Sequence, residues 1–429
     1  MRVLVLGASG FIGSAVCARL VADGHRVLGV SRNRYDAGLV SIEHIALDIS
    51  RATAPQDWLP LLPGVEAVVN CAGTLQDSPG ESTYGVHAAG IAALVAACAR
   101  AKVSRIIHLS AIGVDQNRPS RFSRSKRQGD DALMRSDLDW VILRPSVVLG
   151  RAAYGGSALL RGLAALHLEP RIPDAAPVQL VHLDDLVDTI LFFLQPDAPA
   201  RVVLELAGPR PWAFDDTVRL LGSWLRNRPA ATVVVSGWMA AAAYRIGDAV
   251  SLLGWRPPIR TTARLEISRG AVGDPSQWER VTGIVPRDIE QALIREPASV
   301  QERWFSRLYF LKPAVIGVFA LFWIATGAIS FGPGWSEGTA LLRDADIGAS
   351  LAALIVVAGA LADIAVGFLI LYRPTCRFGL SAALALSIAY VIVGTVLAPR
   401  LWADPLGPLL KVAPIVILNL VALAILDDR

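Results

Sequence analysis

MRVLVLGASGFIGSAVCARLVADGHRVLGVSR, Met1 to Arg32, decides how the rest of the chain is read. Arg2 to Leu6 is a short apolar run of β type, and Gly7-Ala-Ser-Gly10-Phe-Ile-Gly13 follows at once and opens a helical segment, Phe11 to Asp23. Gly24 ends that helix, and Arg26 to Ser31 supplies a second apolar strand. In a βαβ unit of this size, glycines between the first strand and the helix signal a dinucleotide site. Gly7 permits the tight turn, Gly10 lets the backbone approach a pyrophosphate, and Gly13 lets helix pack closely on strand. The helix N-terminus adds free N–H groups and the positive end of its dipole. Ser9, Phe11 and Ile12 complete the predicted cradle.

The chain has 429 residues, enough for more than one domain, and a formal net charge of only +4, which gives no support to nucleic acid as a partner. Its 53% hydrophobic content is high for a purely soluble enzyme, and the excess sits in the C-terminal part. Cys17, Cys71, Cys98 and Cys376 form no C-x-x-C pair and no cluster with histidines. That argues against a zinc site and a disulfide framework and predicts no metal. The apolar start is broken by Gly7 too early for a secretory signal and reads as the first strand.

An acid about 20 residues after the glycines would bind the ribose 2′-OH of NAD, whereas a basic residue accommodates a 2′-phosphate. Here the stretch is Ser31-Arg32-Asn33-Arg34, with no acid, so NADP(H) is expected over NAD(H), with Ser31 and Arg32 at the phosphate. Solvated loop arginines are the plainer alternative.

The spacing G-x-x-G-x-x-G resembles the extended and atypical short-chain dehydrogenase/reductase (SDR) superfamily, the NAD-dependent epimerase/dehydratase-like group. Further stretches extend the resemblance in family order. Ile42 to Ile49 ends in Leu47-Asp48-Ile49, and Val65 to Cys71 leads into Ala72-Gly73. The resemblance implies that Asp48 contacts the adenine and that Ala72 and Gly73 line the cofactor. Arg105 to Ala111 contains Ser110, at the place of the family's catalytic serine.

The family's Tyr-x-x-x-Lys pair falls on Phe122-Ser-Arg-Ser-Lys126. Lys126 is kept for the nicotinamide ribose, but Phe122 stands where the tyrosine belongs, and a phenyl ring transfers no proton. Ser123, Ser125 and Tyr154 are candidate stand-ins, and nothing in the sequence chooses among them. Trp140 to Gly150, with Arg144, Pro145 and Ser146, resembles the family segment that passes over the nicotinamide. Val181-His182-Leu-Asp184-Asp185-Leu resembles a downstream H-V-D-D-L segment. His182 and Asp184 read either as a dyad or, more plainly, as a strand-to-helix cap.

From Lys312 the pattern changes. Pro313–Phe331 has 19 uncharged residues, Ile347–Leu371 has 25 with Asp363 alone, Phe378–Leu397 has 20 uncharged, and Leu406–Leu426 has 21 with Lys411 alone. Each is long enough to cross a hydrocarbon core of about 30 Å, which predicts four transmembrane helices. Arg303, Arg307, Lys312, Arg373 and Arg377 fall on one side, placing both termini on the cytoplasmic face of a bacterial-type inner membrane. Asp363 requires a partner inside the bilayer, with Asn419 and Arg400 as candidates. A quinone or proton site and a structural hydrogen bond both remain open there.

This four-helix unit resembles the DoxX-like family. The expected architecture is therefore an α/β, doubly wound parallel sheet of SDR type at 1–210, a small substrate lobe at 211–302 and a four-helix membrane domain at 303–429. Two functions follow: an NADP-dependent oxidoreductase or isomerase acting on a lipophilic substrate such as a quinone, or a non-catalytic nucleotide-binding subunit of a membrane complex. The second resembles the nucleotide-binding accessory subunit of respiratory complex I, which also lacks the tyrosine.

Overall fold

The computed structural model describes residues 1–33, 38, 40–116, 119–172, 175–229 and 231–427. Arg34 lies outside them. Two compact units divide the chain: Met1–Ala249 with Pro257–Ser306, and Val250–Arg256 with Arg307–Arg429.

The strands of the first unit are β1 (Arg2–Leu6), β2 (Arg26–Ser31), β3 (Glu43–Ala46), β4 (Ala67–Asn70), β5 (Arg105–Leu109), β6 (Asp139–Pro145), β7 (Val147–Leu149), β8 (Leu168–Arg171), β9 (Val178–His182), β10 (Val202–Leu206), β11 (Pro211–Trp212) and β12 (Ala231–Val234). Seven form one sheet in the order β10-β6-β5-β4-β1-β2-β3, with every neighbouring pair parallel. The order turns back at β1, so the C-terminal ends of β1 and β4 open a crevice of the kind in which doubly wound sheets bind ligands. Small sheets β11-β9-β7 and β12-β8 lie beyond it.

Both faces of the main sheet are covered, which is why its strands read as unbroken apolar runs. Val3 and Val5 pack with Val16 and Leu20 of helix Phe11–Ala22 and Ile190 of helix Leu183–Phe193. Leu4 and Leu6 point the other way, against Ile91 and Leu94 of helix Gly90–Ala101. Residues 211–302 belong to this unit apart from Val250–Arg256.

In the second unit, helices Leu311–Phe331 and Ala349–Leu371 pack through glycines. A Cβ on Gly327 would lie 2.5 Å from the Ala360 carbonyl oxygen, and one on Gly367 would lie 2.8 Å from that of Ala320. Small residues of this kind let helices approach where no hydrophobic effect drives them together. Trp255 donates to the Leu371 carbonyl at 2.8 Å, which ties Val250–Arg256 to the end of the second long helix.

Three helices among the described residues are long and apolar enough to cross a membrane: Leu311–Phe331, Ala349–Leu371 and the run Arg373–Leu397. The expected fourth span is helical only over Val412–Ile425, 14 residues or roughly 21 Å. Gly407 at φ +56°, followed by Pro408, holds its start in turns. Its far end returns to the start of the third long helix, where Arg377 pairs with Asp427.

The partner of Asp363 is neither Asn419 nor Arg400: Tyr390 donates to Asp363 Oδ1 at 2.7 Å, and Arg400 pairs with Asp344 at 2.8 Å. Asn419 is fully buried, with both amide atoms unpartnered.

Candidate functional site

The glycine turn forms as its residue types require. Gly7 has φ +73°, and a Cβ there would sit 3.0 Å from Ala72 Cα. A Cβ on Gly13 would lie 2.1 Å from the Gly7 carbonyl oxygen. Gly10 caps the helix in an extended conformation and bonds back to the Gly7 carbonyl at 2.9 Å. Phe11 and Ile12 begin the helix, and the ring of Phe11 stacks on Tyr154 with centroids 6.3 Å apart. Ser9 is exposed at the turn.

The strand ends bring the other expected residues to the same edge of the sheet. Ser31 ends β2 and Arg32 follows it; Asp48 follows β3, Ala72 and Gly73 follow β4, Ser110 follows β5, and Pro145 ends β6 with Ser146 next. Asp48 Oδ1 accepts from the backbone N–H and hydroxyl of Ser50, shaping its own turn. Ser146 Oγ is buried without a partner. Ser31 is committed internally: its hydroxyl donates to the Asn33 carbonyl at 2.8 Å and lies 2.7 Å from His44 Nε2. Arg32 donates to Glu81 at 2.5 Å.

Lys126 comes from helix Arg121–Met134, whose start is capped by Ser120. Its Nζ donates to the Leu109 carbonyl at 2.7 Å and sits 3.5 Å from where a Gly73 Cβ would be. Burial pushes the Lys126 ammonium down to about 8, partly opposed by the charge of Asp130. Phe122, four residues earlier, meets His87 edge-on. The Thr74 N–H donates to His87 Nε2 at 3.0 Å, so the ring proton lies on Nδ1, facing Ser125 Oγ at 2.9 Å. Burial, with Lys126 nearby, holds His87 well below the ordinary imidazole range, so it is neutral.

The suggested stand-ins for the tyrosine are engaged elsewhere. Ser125 donates to the Phe122 carbonyl at 2.9 Å. Ser123 donates to Glu266 at 3.0 Å and accepts from Arg269. Tyr154 lies on Phe11.

Beneath Lys126 lies a buried polar network that the sequence did not reveal. Arg144 bonds Asp130 at 3.1 Å and Asp115 at 2.7 Å. Asn70 bridges His108 Nδ1 at 2.8 Å and the Ala72 N–H at 3.0 Å, leaving His108 Nε2 3.6 Å from Asp130. Asp130 is fully buried, and that burial raises its carboxyl while Arg144 restrains the shift.

His182 caps helix Leu183–Phe193, its Nδ1 accepting from the Asp184 N–H at 3.2 Å. His182, Asp184 and Glu296 come within 4.8 Å of one another, but Arg287 already supplies a cation there, 3.1 Å from Asp184 and 3.2 Å from His182 Nδ1.

The close strand–turn–helix packing that Gly7 and Gly13 permit, which leaves the N-terminus of helix Phe11–Ala22 at the strand ends, together with the orphaned Ser146 hydroxyl and the Lys126 ammonium, fits a dinucleotide laid across those ends. Residues 7–162 match the NAD(P)H-binding family, and residues 320–420 match the DoxX-like family. An uncharacterized protein of Mycobacterium tuberculosis is 30% identical over 222 residues, 52% of this chain and 23% of that protein, so the match spans about a quarter of the relative's length. The ceramide reductase of Caulobacter vibrioides is 23% identical, over 67% of this chain and 97% of its own. The Bordetella bronchiseptica enzyme WbmG in complex with NAD shares the fold, with a TM-score of 0.52 and 18% identity over 68% of this chain and 92% of its own.

Proposed function

Starting from an NAD(P)-binding Rossmann domain of SDR-like reductase/epimerase fold joined to a DoxX-like membrane domain, we propose that this protein is a membrane-anchored, NADP(H)-dependent oxidoreductase or isomerase of a lipophilic substrate, quinone or lipid-like. The observation that carries the reading is Lys126, poised between Leu109 and Gly73 beside the glycine turn, in a chain whose described residues include three membrane-length apolar helices. The ceramide reductase, named for a lipid substrate and matched over 97% of its length, supports a lipophilic substrate class. Residues 211–302 would form the substrate-facing part, and the basic residues around Lys312 and Arg373 support cytoplasmic placement of the nucleotide site in a bacterial-type cell membrane.

When bound, the nicotinamide supplies or accepts the hydride. The chain's own residues would act by placement: Gly7 to Gly13 would receive the pyrophosphate and Lys126 would hold the nicotinamide ribose, with Ser110 and Ser146 at the neighbouring strand ends. Phe122 donates no proton, and Ser123 and Ser125 are engaged. An acceptor whose reduced anion is stable, as with a quinone or a conjugated enone, needs no acid from the protein. A simple ketone does.

The test is NADPH oxidation by the full chain in lipid nanodiscs. Oxidation is expected with a quinone or long-chain enone and not with a short soluble ketone. Tight NADPH binding without turnover on any acceptor would replace this reading with the second, a nucleotide-binding subunit of a membrane complex. Phe122 at the tyrosine position favours that alternative.

A further inference from the structure

The end of β2 lacks the acid that would receive an adenosine ribose, yet the folded chain brings a carboxylate to that point. Glu81 comes from the loop between β4 and the helical turn Gly85–Ala89, 49 positions from Arg32, and its Oε1 accepts from Arg32 Nη1 at 2.5 Å. Its side chain is only 10% exposed, against 38% for Arg32. Glu81 Oε2 lies 3.4 Å from the Thr74 hydroxyl, and a β-bridge between Ser78 and Glu81 closes the loop. The carboxylate is therefore held in place by its own loop as well as by Arg32.

We infer that Glu81 sets the balance between NAD(H) and NADP(H), as a ribose-facing acid delivered by the loop after β4 instead of by β2. The inference rests on the reading that the end of β2 receives the adenosine ribose. A 2′-hydroxyl can donate to Glu81 and leave the ion pair with Arg32 intact. A 2′-phosphate carries about −1.5 to −2 charges. It must take Arg32 from Glu81 and then sit beside the negative charge of that carboxylate, and like charges at that range repel. Arg32 draws the phosphorylated cofactor in, and Glu81 limits how strongly it is preferred. Ser31 does not offset this, because its hydroxyl is turned to Asn33 and His44.

The test measures NADH and NADPH dissociation constants for the full-length protein in nanodiscs. Glu81→Gln is expected to tighten NADPH by about tenfold or more relative to NADH. Arg32→Gln is expected to move the ratio the other way, toward NADH, and serves as an independent arm if the Glu81 variant folds poorly. An unchanged ratio in folded Glu81→Gln, or weaker NADPH binding in it, overturns the inference, as does an unchanged ratio in Arg32→Gln. Failure of the wild type to bind either dinucleotide would overturn the nucleotide reading itself, and this inference with it.

Discussion

The ring of His87 meets the ring of Phe122 edge-on, with centroids 5.5 Å apart and planes at 84°. The pair stands next to Lys126, where a proton donor would serve carbonyl reduction, and neither ring supplies one: Phe122 has no acidic hydrogen and His87 is neutral with Nε2 accepting from Thr74. Phe122→Tyr places a hydroxyl four residues before Lys126, on the same helix face. The expected outcome is a gain of about a hundredfold in NADPH-dependent reduction of a soluble ketone, with NADPH affinity unchanged. An unchanged rate would show that the missing hydroxyl is not what limits that chemistry.

Lys126 gives the site a pH dependence. Its ammonium is pushed down from 10.5 to about 8, chiefly by burial. Between those values the unfolded chain keeps a proton that the folded chain releases, so this group makes stability rise with pH through that window and costs stability below it. Binding has the opposite sign, because only the protonated form donates to a ribose while keeping its charge. NADPH affinity is expected to fall by up to about tenfold per pH unit above about 8, and Lys126→Gln should flatten the profile. Titrations from neutral to alkaline pH check both.

Gly13→Ala puts a methyl group 2.1 Å from the Gly7 carbonyl oxygen, a contact that only backbone movement relieves. The helix would then shift off the turn that presents its N–H groups. Dinucleotide affinity is expected to drop by about a hundredfold or more, read by fluorescence titration. Full-strength binding would mean that the pyrophosphate is held elsewhere.

Asp130→Ala removes a fully buried carboxylate bonded to Arg144 at 3.1 Å. Arg144 keeps Asp115, but Asp115 is 44% exposed and cannot neutralise the buried side of the guanidinium. Leaving a buried charge partly unpaired typically costs about 3–5 kcal/mol. The variant should unfold at a clearly lower temperature in detergent, while Asp115→Ala should cost much less.

Tyr390→Phe deletes the hydroxyl that donates to Asp363 Oδ1 at 2.7 Å between two membrane-length helices. Interhelical hydrogen bonds in bilayers contribute about 0.6 kcal/mol on average and up to about 1.7. A loss of about 1 kcal/mol in bundle stability is expected, measured by unfolding in lipid. A loss of nucleotide turnover without a change in stability would instead assign the pair a functional role.

Much of the site was legible because its parts recur in chain order. Gly7 to Gly13, Asp48, Ala72, Gly73, Ser110, Pro145 and Ser146 each fall at or beside the end of a strand in a parallel sheet, where adjacent sequence fixes position, and Lys126 falls on the helix that follows β5. The expected fourth span differs in helical extent from its apolar run. Leu406 to Leu426 passes as a span by hydropathy, but Gly407 and Pro408 delay the helix to Val412. At His182, beside two acids, the plainer reading of a strand-to-helix cap is the one the fold adopts.

The sequence by itself determined the βαβ opening, the parallel sheet, the place of Lys126 and the apolar helices, because each depends on neighbouring residues: an absent Cβ, an uninterrupted apolar run, a spacing of four on a helix. Only the tertiary structure decided which charges and hydroxyls meet. Glu81 reaches Arg32 across 49 positions, His87 lies against Phe122, Asp130 bonds Arg144, and Tyr390 satisfies Asp363. Each of these contacts joins separate elements of the chain, and a polar group taken out of water bonds whichever partner the packing brings within about 3 Å.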